Sequence, residues 1–170
     1  MPEILDIVDH TDTVLGSAPK EEIYAQKLCH RIVHIFVVHP ETGDIYLQQR
    51  AETKSFLPGY YCTSAGGHVQ SGETHDQAAI RELQEEIGLE TPLEEIDTFV
   101  FTGEDGHQRL IKTFITRASD GFSFTDGEVA DGGFYSTSQI QEMIDRDEKI
   151  HPQLKACFER VCELNMLRRD

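Results

Sequence analysis

One domain of the α/β or α+β class is predicted for this 170-residue chain, and three observations carry the prediction. The length suits a single core that needs no covalent staples. An apolar fraction of 38% beside a charged fraction of 27% is that of a globular protein. Two hairpin patterns alternate with helical ones, and no repeat, low-complexity tract or linker divides residues 1–170.

Residues 1–30 are polar and mixed, with turn formers in VDHTDTVLGSAPKEE and a short helical pattern from Ile23 to Leu28, and read as an N-terminal extension. RIVHIFVV (31–38) is a continuous β-branched run; the turn PETGD (40–44) leads from it into IYLQQR (45–50), which predicts a hairpin. Pro and Gly breaks in LPGYYCTSAGGH (57–68) surround a short strand-like centre that delivers the chain to a loop. From Thr74 to Ile87 the apolar residues Ala78, Ala79, Leu83 and Ile87 recur at helical spacing, and Gly88 stands where helices stop. IDTFVFT (96–102), GEDG (103–106) and RLIKTFIT (109–116) predict a second hairpin, followed by a long loop with an acidic centre at 118–133. Loops of that length often carry function. FYS (134–136) reads as a short strand, Ser136 as the cap of a helix reaching Ile144, and Leu154, Cys157, Phe158, Val161 and Leu164 as the apolar stripe of a last helix at 151–167.

With 31 acids against 15 bases the formal net charge is −16. Such a field repels polyanions and excludes broad binding to duplex nucleic acid. A small anionic substrate then needs a local device, such as a metal ion, to offset it. No apolar run reaches bilayer length, and MPEILDIVDHTDTV lacks a basic start followed by an apolar stretch, so a cytoplasmic protein without membrane contact is expected. The cysteines Cys29, Cys62, Cys157 and Cys162 form no C-x-x-C pair or zinc spacing and are expected to be reduced and mostly buried. Oligomeric state is open, a homodimer included.

The chemistry concentrates in GGHVQSGETHDQAAIRELQEEIGLE (66–90), where Glu73, Glu82, Glu85, Glu86 and Glu90 follow a glycine turn. On a helix Glu82, Glu85 and Glu86 stand at i, i+3 and i+4, on adjacent positions of one face. Like charges that close repel unless water or a cation compensates them. Carboxylates are hard ligands suited to Mg²⁺ or Mn²⁺, ions usually shared with substrate phosphates. An isolated E-x-x-E-E is most often just a solvated face.

The surrounding residues point the other way. Gly67, Glu73, Arg81, Glu82, Glu85, Glu86 and Gly88, with Leu83 and Leu89 at the bulky apolar positions, reproduce the box G-x5-E-x7-R-E-U-x-E-E-x-G-U. The chain resembles the Nudix hydrolases. That resemblance implies an α/β/α sandwich with a mixed sheet, and hydrolysis of a nucleoside diphosphate linked to another group or of a related organic diphosphate. It places Glu82, Glu85, Glu86 and the Gly67 carbonyl at the ligand positions for Mg²⁺, or alternatively Mn²⁺. Arg81 and Glu73 match the pair that braces the helix. Glu85 or Glu86 would serve as general base, or else a later loop acid, for which Glu128 in TDGEVADGGFY is the candidate beside a plain solvated-loop reading.

Residues 29–73, within a similarity spanning about 8–145, further resemble the branch holding isopentenyl-diphosphate isomerase and its hydrolase-like relatives. Arg50 and Lys54 match basic residues that contact diphosphate there, and His68 is a candidate for touching metal or phosphate. Gly66 stands where the isomerase has its catalytic cysteine, and Cys62, four residues earlier, does not replace it. His30 and His68 match two metal-binding histidines of the isomerase, but Ile23 stands near a third, and His107 and Arg109 near its two metal-site glutamates. A hydrolase is therefore expected; the alternatives are an isomerase-like enzyme and a diphosphate-binding domain without catalysis, which the complete set Glu82, Glu85 and Glu86 disfavours. His34, alternating within an apolar strand, is expected to be a satisfied core residue.

Overall fold

The computed structural model describes residues 2–54, 56–124 and 129–164, with backbone only at 129–131. In chain order its elements are β1 (Ile4–Val8), β2 (Val14–Pro19), α1 (Lys20–Ala25), β3 (His30–Val38), β4 (Ile45–Arg50), β5 (Tyr61–Cys62) and β6 (Ala65–His68). There follow α2 (His75–Ile87), β7 (Glu94–Thr102), β8 (Gln108–Arg117), β9 (Val129–Tyr135), α3 (Thr137–Asp145) and α4 (Pro152–Leu164).

The apolar run of β3 is continuous because both of its faces are covered. Val33, Ile35 and Val37 pack with Ala78, Ala79, Leu83 and Ile87 of α2. Ile32, Phe36 and Val38 face the other way, into a cluster with Ile140 and Met143 of α3 and Leu154, Phe158 and Val161 of α4. Helices thus cover both sides of one sheet, the expected α/β/α sandwich. The sheet is mixed: β8 runs parallel to β3 from His30↔Arg109 to Val38↔Arg117, and the other pairings are antiparallel.

The hairpin expected at 31–50 pairs only next to its turn, at Val37↔Tyr46 and Val38↔Ile45. Farther along, β3 takes β6 as its neighbour from Ile32↔His68 to Ile35↔Ala65, while β4 diverges to pair with β5 and β9. This exchange of partners brings the glycine strand β6 beneath α2. His34 is buried between Thr63 Oγ1 and Gln153 Oε1, each 2.7 Å from a ring nitrogen, as a satisfied core residue should be.

Two segments differ from the sequence expectation, and a third is described only in part. Within residues 1–30, β1 and β2 form a hairpin over a small core of Leu5, Ala18 and Ile23, and β1 joins the main sheet at Ile7↔His30. Strand β9 begins at Val129, inside the segment read as loop. The last helix is described from Pro152 to Leu164; residues 165–167 of the expected helix lie outside the described residues.

Candidate active site

Helix α2 begins with a capping box. Thr74 Oγ1 accepts from the Gln77 amide and the Gln77 side chain accepts from the Thr74 amide. Gly88 closes it in the left-handed conformation, φ 72°, donating to the Gln84 carbonyl. Between these ends the buried stripe fixes the rotation of the helix, which brings Glu82 and Glu86 against β6 and leaves Glu85 more open on the same cavity. Asp6 of β1 accepts from Ser71 Oγ (2.7 Å) and the Gly72 amide (3.3 Å), and the Ile4 carbonyl accepts from the Ser71 amide, so the turn before α2 is tied to the N-terminal hairpin.

Gly66, Gly67, His68, Arg81, Glu82, Glu85, Glu86, Arg50 and Lys54 line one cavity of about 750 Å³. The box therefore converges with the basic residues that the sequence placed far upstream. Pro2, Glu3, Ile4 and Lys20 of the N-terminal segment line it as well. Nothing in the local sequence marks those four residues, because their place depends on the hairpin docking beside residues 70–72. Glu128 lies outside the described residues.

The carboxylates differ in environment. Glu85 is 57% exposed and meets Arg81 Nη1 at 3.3 Å. Glu82 is 13% exposed and accepts from the same nitrogen at 2.8 Å. Burial pushes its carboxyl up to about 7, against the opposing pull of Arg81 and with a further push from Glu85. Glu86 is buried and accepts from Gln48 Nε2 of β4 and from the Gly66 amide. As they stand, no three His, Cys, Asp or Glu side chains among the described residues converge on one point that could hold a metal ion. Arg81 engages Glu82 and Glu85, and also Glu73 and the His68 carbonyl.

A Cβ at Gly67 would fall on the Glu82 carboxyl group, so only glycine lets that carboxylate approach the strand backbone. At Gly66 a Cβ would lie 2.7 Å from His34 Nδ1 and 2.9 Å from the Val33 carbonyl oxygen. His68 directs Nε2 to the Tyr24 hydroxyl at 2.7 Å, and its rings neighbours are Tyr24 and His30. Burial first, then the charge of His30, lowers its pKa to about 3, which makes it a neutral hydrogen-bonding group near neutral pH. Arg50 sends Nε to the Phe56 carbonyl at 3.0 Å while lining the cavity.

The NUDIX domain family matches residues 29–156. The chain belongs to the Nudix family. This Nudix hydrolase is 34% identical over 156 residues to the Nudix hydrolase SCO1686 of Streptomyces coelicolor, covering 91% of this chain and 86% of that one. It is 46% identical over 89 residues to the Nudix hydrolase all7351 of Nostoc, and there spans 52% of each chain. Among solved structures it superposes on DR0079 from Deinococcus radiodurans with a TM-score of 0.82 at 24% identity, over 93% of this chain and 98% of that one, which shows a shared fold. The matched family segment starts after the N-terminal hairpin, whose residues nevertheless form one wall of the cavity. Nudix hydrolases act on small molecules with divalent metal ions, and no helix among the described residues is long and apolar enough to cross a membrane.

Proposed function

We propose that this Nudix hydrolase cleaves, with Mg²⁺, the diphosphate bond of a nucleoside diphosphate linked to another group or of a related organic diphosphate. The observation that carries this reading is the meeting of two opposed charge sets in one cavity: Glu82, Glu85 and Glu86 on α2, and Arg50 at the end of β4 with Lys54 just beyond it. Hard carboxylate oxygens suit Mg²⁺, and Mn²⁺ by the same chemistry. Burial raises the Glu82 carboxyl despite the adjacent Arg81, and a cation bound there would favour its charged form. In this reading Glu82, Glu85, Glu86 and the Gly67 carbonyl hold the ion, which supplies charge neutralisation and an acidified water when bound.

The residues divide the remaining work. Arg50 and Lys54 bind the diphosphate oxygens and offset the acidic field of the protein. His68, neutral, orients a phosphate or water oxygen through hydrogen bonding. Arg81 holds Glu73 and Glu82 in place. Proton removal from the attacking water falls to Glu85, the most open carboxylate of the three, or to Glu128 from the later loop; Glu86 is already engaged by two donors.

The absence of room for a side chain at Gly66 speaks against the isomerase reading, and so does the buried Cys62, whose thiol burial raises to about 12. The test is a panel of nucleotide-linked and prenyl diphosphates incubated with Mg²⁺ and assayed for released phosphate or monophosphate. The wild type is expected to turn over at least one class, and Glu85→Gln and Glu86→Gln to lose about 100-fold or more of that rate. Tight binding without turnover would favour a binding domain. Conversion of isopentenyl diphosphate to its isomer would overturn the assignment.

A further inference from the structure

The two donors on Glu86 come from different strands. Gln48 Nε2 lies 2.5 Å and the Gly66 amide 3.3 Å from the same oxygen, Oε2. Gln48 is 38 residues away in sequence and only 7% exposed, and it faces α2 because it stands two residues after Tyr46, which packs in the α2 cluster. Its backbone is fixed from both sides, paired with Cys62 of β5 and Gly132 of β9. The amide is therefore held by the sheet, independently of the helix that carries Glu86.

A carboxylate that accepts two hydrogen bonds at one oxygen is held in one orientation by them. Ligating carboxylates generally depend on such partners for orientation. We infer that Gln48 is a positioning residue for the metal site, orienting the Glu86 carboxylate for the cation by holding Oε2. This rests on the metal-dependent reading above and adds to it a residue outside the Nudix box. A neutral amide suits the task better than a lysine or arginine, which would cancel the charge that the cation needs.

The experiment is Mn²⁺ titration of the full chain, with free ion counted by electron paramagnetic resonance, for the wild type, Gln48→Met, Glu86→Gln and the double variant. Methionine keeps the volume and removes the donor. Gln48→Met is expected to weaken Mn²⁺ binding about tenfold. In the Glu86→Gln background the same change should add little, since its effect runs through Glu86. An unchanged dissociation constant in Gln48→Met, or an equal loss in both backgrounds, overturns the inference while leaving the hydrolase reading intact. A wild type that binds no Mn²⁺ removes the metal reading itself. If circular dichroism shows Gln48→Met to be unfolded, Gln48→Asn, which retracts the amide by one methylene, is measured instead; unchanged Mn²⁺ affinity there overturns the inference equally.

Discussion

Arg81 grips both oxygens of Glu73, with Nε 2.8 Å from Oε2 and Nη2 2.9 Å from Oε1, across the turn that separates the glycine strand from α2. Burial alone would raise the Glu73 carboxyl, but the bonds from Arg81 and the Gln70 amide outweigh it and hold the group below its ordinary range. Glu73 in turn raises the Arg81 guanidinium further. The pair clamps the loop to the helix by a two-pronged contact that only a planar fork makes. Arg81→Lys keeps the charge and loses the fork. It is expected to cost about 2 kcal/mol, discounted for partial exposure, and to lower the melting temperature by several degrees. An unchanged thermal transition would show that charge alone suffices.

Gly67→Ala drives a methyl group into the Glu82 carboxylate. The flexible end of Glu82 moves more easily than the strand, so the fold should survive with a small change in melting temperature. Mg²⁺ affinity and hydrolysis should fall together, by about tenfold or more. A variant that binds Mg²⁺ as well as the wild type would contradict the placement of Glu82 at the ion.

Asp6→Ala removes the acceptor shared by Ser71 Oγ and the Gly72 amide, and a carboxylate 3.8 Å from Arg31. A loss of about 1–3 kcal/mol is expected. Because the lost bonds hold the turn before α2, the Michaelis constant for Mg²⁺ should rise as well. Equal stability in urea denaturation would mean that the hairpin docks without them.

Acid should weaken the protein in part through His34. Burial lowers its pKa to about 4, opposed by its bond to Gln153, whereas an unfolded histidine titrates near 6.5. The folded-state pKa is the lower one, so the stabilisation is full above pH 6.5 and is lost as pH falls toward 4. The linkage amounts to about 3 kcal/mol. His30 and His151, lowered by burial to about 4 and about 3, act in the same direction. Melting temperatures measured from pH 7 to 4 should fall less steeply in His34→Gln than in the wild type; parallel curves would remove His34 from the account.

The box helix was legible because its signals agree locally: the Thr74 cap, the apolar spacing from Ala78 to Ile87, and the Gly88 stop all fall within fifteen residues. The convergence of Arg50 and Lys54 with that helix was legible only through resemblance, since no local pattern ties them to it. β9 was hidden because GG reads as loop, yet a side chain at Gly132 would strike the Tyr46 hydroxyl, and the strand needs a bare backbone there. The hairpin of β1 and β2 was hidden for another reason. Its own core is small, and β2 is mostly exposed, so alternation is weak and the pairing is decided by tertiary docking. Gln48 looked like one of two glutamines at the end of a strand; its partner is set by the exchange of neighbours along β3.

The position of Pro2 and Glu3 on the cavity wall bears on how the protein is handled. Any peptide joined ahead of Pro2, such as a purification tag, would begin at the wall of the cavity proposed to take the diphosphate. A histidine tag there would also bring metal-binding imidazoles beside Glu82 and Glu85. Metal titrations and substrate panels run on such a fusion would report the tag as well as the enzyme.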